Sequence, residues 1–366
     1  MPSREIGVGV IGYGLGGRVF HAPFVNAVPG LKLVSILQRK GDDAAKAFPH
    51  VRIDRSLDDL LADKSISLVV VTTPNETHFV LARRALEAGK HVVVDKPFAS
   101  TSAEALELAA LAKTQGLLVI PFHNRRWDGD FLTVKKLLAE SAVGRLVTFE
   151  SHFDRFRPTA RENTWKEAEN PANGMLFDLG PHLVDQALVL FGTPAAITAS
   201  VRADRDHSDI EDVFDITLHY PAPNGKTLLA YCRATYLACI NAPRFTLHGT
   251  HGSYQKYGVD PQEPALVGGA KLPVLGSPGS DAWLEEKESA WGRLVVAPTP
   301  SDPTILVDKQ VRTLPGDYRG FYANVRDAIL GVAPLAVTPE DAYRVIKLLE
   351  LARVSSAEAR TLPVAL

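Results

Sequence analysis

Three sets of residues in this chain combine types and spacings that can do chemistry. Gly12, Gly14 and Gly17 stand in the spacing G-x-G-x-x-G. An apolar, β-prone run at 6–11 precedes them, and a stretch at 18–27 that can continue as a helix follows, up to Pro29-Gly30. A strand, a glycine turn and a helix start make a cradle for a diphosphate. The first glycine permits the tight turn, the second lets the backbone approach the pyrophosphate, and the third lets helix pack on strand, with free amides at the positive helix end. A glycine turn that binds nothing is the alternative, and the flanking strand and helix argue against it. The second set is Asp95-Lys96-Pro97, directly after the apolar run 91–94. A lysine there can reach a sugar hydroxyl and stabilise an alkoxide as hydride leaves carbon; taken alone, the pair also fits a surface ion pair. Pro97 favours an extended Lys96. The third set is Asp178 and His182, four residues apart near a helix start, so that both can face one way. A carboxylate near an imidazole orients the ring and favours proton transfer near neutral pH. A metal reading lacks a third ligand, and a helix-start aspartate with a satisfied histidine is the plain structural alternative.

These residues need a frame, and the chain supplies one. Strand-like runs at 31–37, 67–73, 91–94 and 117–121 alternate with helical stretches at 56–62, 76–88 and 101–116. Thr101-Ser-Ala-Glu104 has capping-box spacing, and Gly89 is a natural helix end. The alternation predicts an α/β fold, a doubly wound parallel (Rossmann) sheet with helices on both faces, as a domain over 1–122. Beyond Phe122 the texture changes. A helix at 130–140 and a long strand at 146–156 precede a helix at 176–190. Extended stretches follow at 197–201, 214–220, 227–236, 244–248 and 253–257. No helical pattern separates these last runs, which predicts a mostly antiparallel open sheet in an α+β domain over 123–366. Residues 258–303, rich in Gly and Pro, read as long loops, followed by helices at 318–330 and from Thr338 onward.

In such a parallel sheet the end of the second strand faces the adenosine ribose. A carboxylate there would accept from the 2′-hydroxyl and repel a 2′-phosphate. Here the strand ends in Gln38-Arg39-Lys40, with no acid until Asp42 and Asp43. Arg39 and Lys40 suit a phosphate, which favours NADP(H) over NAD(H). The alternative is a pair of solvated bases with Asp42 or Asp43 reaching back to the ribose. The apolar strand at 67–73 stops at Thr73-Pro74-Asn75, placing Asn75 at the carboxyl end of the sheet, where ligands of such folds bind. Asn124, Arg125, Arg126 and Trp127, where the two domains join in sequence, either shape a pocket or form interdomain salt bridges.

With 366 residues, 46 % hydrophobic and 22 % charged, the chain predicts roughly two globular domains. A net charge of −2 leaves no electrostatic footprint for nucleic acid or an anionic membrane, and no apolar run is long enough to span a bilayer. Cys232 and Cys239 suggest no disulfide framework, and a cytoplasmic location is expected.

The motifs occur together in an order that resembles the Gfo/Idh/MocA family of oxidoreductases, over nearly the whole length. The resemblance is strongest to its NADP-dependent scyllo-inositol dehydrogenase branch. The stretches that carry it are GYGLGGRVFHAPF at 12–24, VVVTTPNETH at 69–78 and GKHVVVDKP at 89–97. HNRRWDGDFLTVKKL at 123–137, LFDLGPHLVDQALVLFG at 176–192 and PRFTLHGTHGSYQKYGVDPQE at 243–263 add to it. The resemblance implies Lys96, Asp178 and His182 as the catalytic group. It implies Thr73, Pro74 and Asn75 along the cofactor, with Leu15 and His78 in the same stretches, and Asp95 near the nicotinamide ribose. The family usually has glutamate at that last position, and the shorter carboxylate alters the reach. Phe153, Asp154, Arg155, Arg157 and Trp165 follow the first strand of the second domain and join Asn124 to Trp127 as substrate-binding candidates. A small polyol or sugar as substrate, and a homodimer or tetramer through the C-terminal sheet, are expected from the same likeness. A dinucleotide-sensing regulator and a reductase of another carbonyl are the alternatives.

Overall fold

The computed structural model describes residues 5–161, 164, 167, 170–222, 225–299 and 302–366. Trp165 lies outside the described residues.

Six short strands build the first sheet: β1 (Ile6–Ile11), β2 (Leu31–Leu37), β3 (Arg52–Asp54), β4 (Leu68–Val71), β5 (His91–Val94) and β6 (Val119–Pro121). Every pairing is parallel and the order is β3-β2-β1-β4-β5-β6. β1 and β4 are buried at every position, as strands covered on both faces must be. The strand order reverses beside β1, so the segments after β1, β4 and β5 emerge together at the carboxyl edge of the sheet. β3 and the helix Asp43–Ala47 were not foreseen, because three and five residues are too short to show a period.

The second sheet has nine strands. They are β7 (Leu146–His152), β8 (Ala196–Arg202), β9 (Val213–Ala222), β10 (Lys226–Thr235), β11 (Phe245–Gly249), β12 (Gly252–Lys256), β13 (Gly292–Val296), β14 (Val307–Val311) and β15 (Leu362–Pro363). Their order is β14-β13-β12-β11-β7-β10-β9-β8-β15, and all pairs are antiparallel except β7 with β10. The helix Met175–Phe191 packs on β9 and β10, whose alternate residues (Leu228, Ala230, Cys232, Ala234) are buried. The expected strand at 146–156 ends at His152, and Phe156 makes only an isolated bridge to Leu237. The stretch 258–303 is not all loop: it holds the helix Gln262–Val267 and β13.

The contacts divide the chain into two compact units that are not contiguous in sequence. The first combines the chain up to Asn124 with 262–283 and 317–343; the second combines 125–261, 284–316 and 344–366. The contacts gather 262–283 and 317–343 with the first unit, whereas a single cut at residue 122 groups them with the second. Arg319 donates to Ser280 O (2.7 Å) and Pro273 O (3.0 Å) and Tyr318 N to Gln262 Oε1 (2.8 Å), which joins these two segments to each other, while Arg326 donates to Pro29 O (2.7 Å) in the first part of the chain. No helix among the described residues is long and apolar enough to cross a membrane.

The capping box at the helix Ser102–Gln115 is complete: Glu104 N donates to Thr101 Oγ1 at 3.2 Å, and Glu104 Oε2 accepts from Thr101 N at 3.3 Å. Thr101→Ala therefore costs about 1 kcal/mol of unfolding free energy in a denaturant titration; no measurable change would mean that the cap does not support this helix.

Candidate active site

The three glycines of the fingerprint differ in their surroundings. Gly12 has φ +102°, and a Cβ there would lie 2.6 Å from Thr72 O. A Cβ on Gly17 would lie 2.3 Å from Gly12 O, so the helical turn packs directly on the strand end. At Gly14 a Cβ would meet nothing within 4 Å, which leaves that face of the loop open. The chain then winds through a π-helical turn, Gly16–His21, into the helix Ala22–Ala27. Leu15 is half exposed at the tip.

Two further segments meet this loop at the sheet edge. After β4, Thr73 Oγ1 and Thr77 Oγ1 lie 2.6 Å apart, and Thr77 donates to Pro74 O at 2.7 Å, fixing the turn that presents Asn75. His78 is buried, and its two ring nitrogens each lie 2.8 Å from a carbonyl oxygen, Pro97 O and Thr73 O. It ties the turn after β4 to the segment after β5 through their backbones. The Lys96–Pro97 peptide is cis, and Lys96 N donates to Asp95 Oδ1 at 2.8 Å. Arg39 and Lys40 are exposed beyond β2.

Asp95 turns inward beneath the glycine loop. Its Oδ2 lies 3.3 Å from Thr72 Oγ1 and 3.4 Å from His21 Nε2, and a Cβ on Gly16 would stand 2.8 Å from it. His21 is fully buried, and its Nδ1 lies 2.6 Å from the Tyr322 hydroxyl. Burial first, then the charge of Asp95, pushes the Tyr322 hydroxyl well above the usual tyrosine range, so it keeps its proton. The imidazole thus stands between the Tyr322 hydroxyl and the Asp95 carboxylate. Burial alone would raise the Asp95 carboxyl, but His21, by hydrogen bond and charge, together with His78 and Lys96, holds it at about 2. Neither His21 nor Tyr322 was singled out from sequence. His21 stands in the quoted stretch 12–24, whereas Tyr322 gave no signal, its partner being 301 positions away.

In the second unit Asp178 lies in the first turn of the helix Met175–Phe191 and His182 one turn on, buried. Phe153 meets the His182 ring edge-on, with centroids 6.3 Å apart. Behind Phe153 lies Arg244, 4.0 Å from the ring centres of both Phe153 and Phe245. Arg244 donates to Ser151 Oγ (2.5 Å) and Gln186 Oε1 (2.7 Å), while Gln186 Nε2 donates to Arg125 O (3.0 Å). The arginines of the Asn124–Trp127 stretch are engaged inside this unit. Arg126 makes a two-pronged pair with Asp185 (2.8 and 2.5 Å), and Arg125 pairs with Asp128 at 3.3 Å. Asn124 is buried and belongs to the first unit; Trp127 is half-buried. Asp154 accepts from Ala242 N at 3.2 Å, and Arg155 N donates to Thr235 O at 2.9 Å, so both hold strand ends together. Arg157 stands over the ring of Tyr236, 5.6 Å from its centre. Burial, followed by the charge of Asp178, raises the Tyr236 hydroxyl above its ordinary range. Tyr236 is thus a polar neighbour of Asp178 that the sequence did not flag. Among the described residues no cluster of three or more His, Cys, Asp or Glu side chains is disposed to hold a metal ion.

A parallel sheet with an open glycine cradle at its switch point is the architecture of a dinucleotide-binding domain. Residues 6–123 match the model of the oxidoreductase family NAD-binding Rossmann fold, and residues 135–366 match that family's C-terminal alpha/beta domain. The chain belongs to the Gfo/Idh/MocA oxidoreductase family. It is 41 % identical over 360 residues to YdgJ of Escherichia coli (strain K12), named an uncharacterized oxidoreductase, covering 98 % of this chain and 99 % of that one. It is 37 % identical over 360 residues to the scyllo-inositol 2-dehydrogenase (NADP(+)) IolW of Bacillus subtilis (strain 168), covering 98 % and 95 %. Among solved structures, the oxidoreductase yvaA from Bacillus subtilis superposes with a TM-score of 0.91 at 34 % identity, over 100 % of both chains.

The Asp95 carboxyl lies below its ordinary value in the fold, so its ionisation stabilises the fold above pH ~4, and that contribution is lost as pH falls through the folded value of about 2. The stability difference between wild type and Asp95→Asn should shrink by on the order of 2 kcal/mol between roughly pH 5 and pH 2. A difference that stays constant with pH would show that the His21–Asp95 contact is not formed.

Proposed function

We propose that this oxidoreductase exchanges hydride between NADP(H) and a secondary alcohol or ketone on a cyclitol or sugar of the scyllo-inositol type. The observation that carries the reading is the cradle itself. Gly14 leaves room for a diphosphate, and the turns bearing Thr73 to Asn75 and Lys96 are braced at the same sheet edge by His78. The residues present fit a dinucleotide: the loop amides and helix start for the diphosphate, Asn75 and Lys96 toward the nicotinamide end, and exposed Arg39 and Lys40 for a 2′-phosphate. The substrate class draws its support from the name of the IolW relative.

A bound nicotinamide supplies the hydride acceptor or donor. His182 takes the proton of the reacting hydroxyl as the C–H bond breaks, and returns it to the ketone oxygen in the reverse direction. Asp178 orients the imidazole and favours its protonated form. Lys96 stabilises the negative charge that grows on the oxygen. Asp95, ionised beside Lys96 and bonded to its backbone N–H, fixes the peptide from which the ammonium projects. The homo-oligomer expected from the family likeness remains part of this proposal, through the face of the second sheet opposite the helix Met175–Phe191.

A turnover panel followed by nicotinamide absorbance tests the proposal. Scyllo-inositol, myo-inositol, glucose and galactose are offered with NADP⁺ and with NAD⁺, and the available keto forms with NADPH and NADH. NADP-linked turnover of scyllo-inositol is expected. NAD-linked turnover alone would overturn the cofactor assignment, and silence with tight NADPH binding would point to a sensor. Lys96→Ala should lower turnover by at least about a hundredfold while NADPH affinity changes by less than about threefold. Wild-type turnover in that variant would remove Lys96 from the catalytic group.

A further inference from the structure

The loop after β2 carries both signs of charge within five positions: Arg39, Lys40, Asp42 and Asp43. Resting on the NADP(H) reading above, the question is what keeps its acids from answering the 2′-phosphate with repulsion. The structure gives Asp42 a partner: its Oδ1 accepts from Arg55 Nη2 at 2.8 Å. The other arm of the same guanidinium, Nη1, donates to Gln38 O and Gly41 O at 2.7 Å each. Arg55 sits just past β3, so one side chain from the neighbouring strand end gathers both ends of the loop and neutralises its first acid. The loop is pinned elsewhere too: Gln38 Oε1 accepts from Ala44 N at 3.0 Å, and Gln38 N donates to Asp54 O at 3.1 Å. Asp43 lies in the first turn of the helix Asp43–Ala47. Arg39 and Lys40 are exposed and make no hydrogen bond or ion pair with any described residue. The first acid is tied up and the two bases are left over.

We propose that Arg55 sets the dinucleotide specificity as a positioning residue, holding Asp42 away from the adenosine ribose so that the loop offers it the cations Arg39 and Lys40. An exposed ion pair by itself is weak. This guanidinium, however, has three acceptors converging on it, and its loss leaves an uncompensated carboxylate beside a doubly charged phosphate. The consequence is asymmetric. A freed Asp42 repels NADPH, but can accept from the two ribose hydroxyls of NADH.

The test is dissociation constants for NADPH and NADH, by titration of nicotinamide fluorescence at low ionic strength, on the full chain as wild type, Arg55→Gln, Asp42→Asn and the double variant. Thermal melts confirm that each is folded. Arg55→Gln should weaken NADPH about fivefold and leave NADH no weaker, and added salt should shrink the difference. Adding Asp42→Asn to Arg55→Gln should restore NADPH to within about twofold of wild type. Unchanged NADPH binding in Arg55→Gln overturns the inference while leaving the NADP(H) reading intact. A double variant as weak as Arg55→Gln overturns it too, because Arg55 would then act on the phosphate directly or through loop shape. A wild-type chain that binds NADH at least as tightly as NADPH overturns the NADP(H) reading itself, and the inference with it.

Discussion

At Gly17 a Cβ would stand 2.3 Å from the carbonyl oxygen of Gly12, and the rest of the cofactor edge follows from that close approach. With no side chain between them, the strand end and the helical turn touch backbone to backbone, and Gly14 is left facing open space. The same economy recurs at Gly16, where a Cβ would stand 2.3 Å from Thr72 Oγ1 and 2.8 Å from Asp95 Oδ2. The loop can therefore lie on the ends of β4 and β5, and the residues that follow those strands become its neighbours. Asp95 is caught in this contact and turned toward His21, which ties the residue before Lys96 to the buried Tyr322 hydroxyl.

The second unit solves a different problem with different means. Its helix Met175–Phe191 carries His182 directly after Pro181, which interrupts the hydrogen-bond ladder inside the helix. Polar bonds further along anchor the helix: part-buried Arg126 pairs with Asp185, and Gln186 bonds, buried, to both Arg125 O and Arg244. Removing one member of such a buried pair costs more than the pair contributes net, because the partner keeps an unmet charge.

What the sequence made legible follows from covering. β1, β4 and β5 are sandwiched on both faces and read as unbroken apolar runs, so they were found with nearly correct bounds. The glycine roles were legible because each is a backbone requirement with its own spacing. β13 and β14 were missed because their outward faces carry charge: Arg293 pairs with Asp308 across the two strands, and β14 is exposed at all but its last position. The return of 262–283 and 317–343 to the first unit was not legible, since Arg319 and Tyr322 find partners 39 and 301 positions away. The ion pair of Arg126 could not be read from residue type, because its partner Asp185 lies 59 residues further on in the same unit. The partner of Asp42 was no more legible, because Arg55 lies 13 positions beyond it.

The most direct measurement follows the hydride itself. Scyllo-inositol deuterated on carbon is incubated with the enzyme and NADP⁺, and the reduced cofactor is examined by mass spectrometry and NMR. The account predicts one deuterium on nicotinamide C4 for each ketone formed, with none lost to water. Reduced cofactor lacking the label, or label released to solvent without cofactor reduction, would contradict direct hydride transfer.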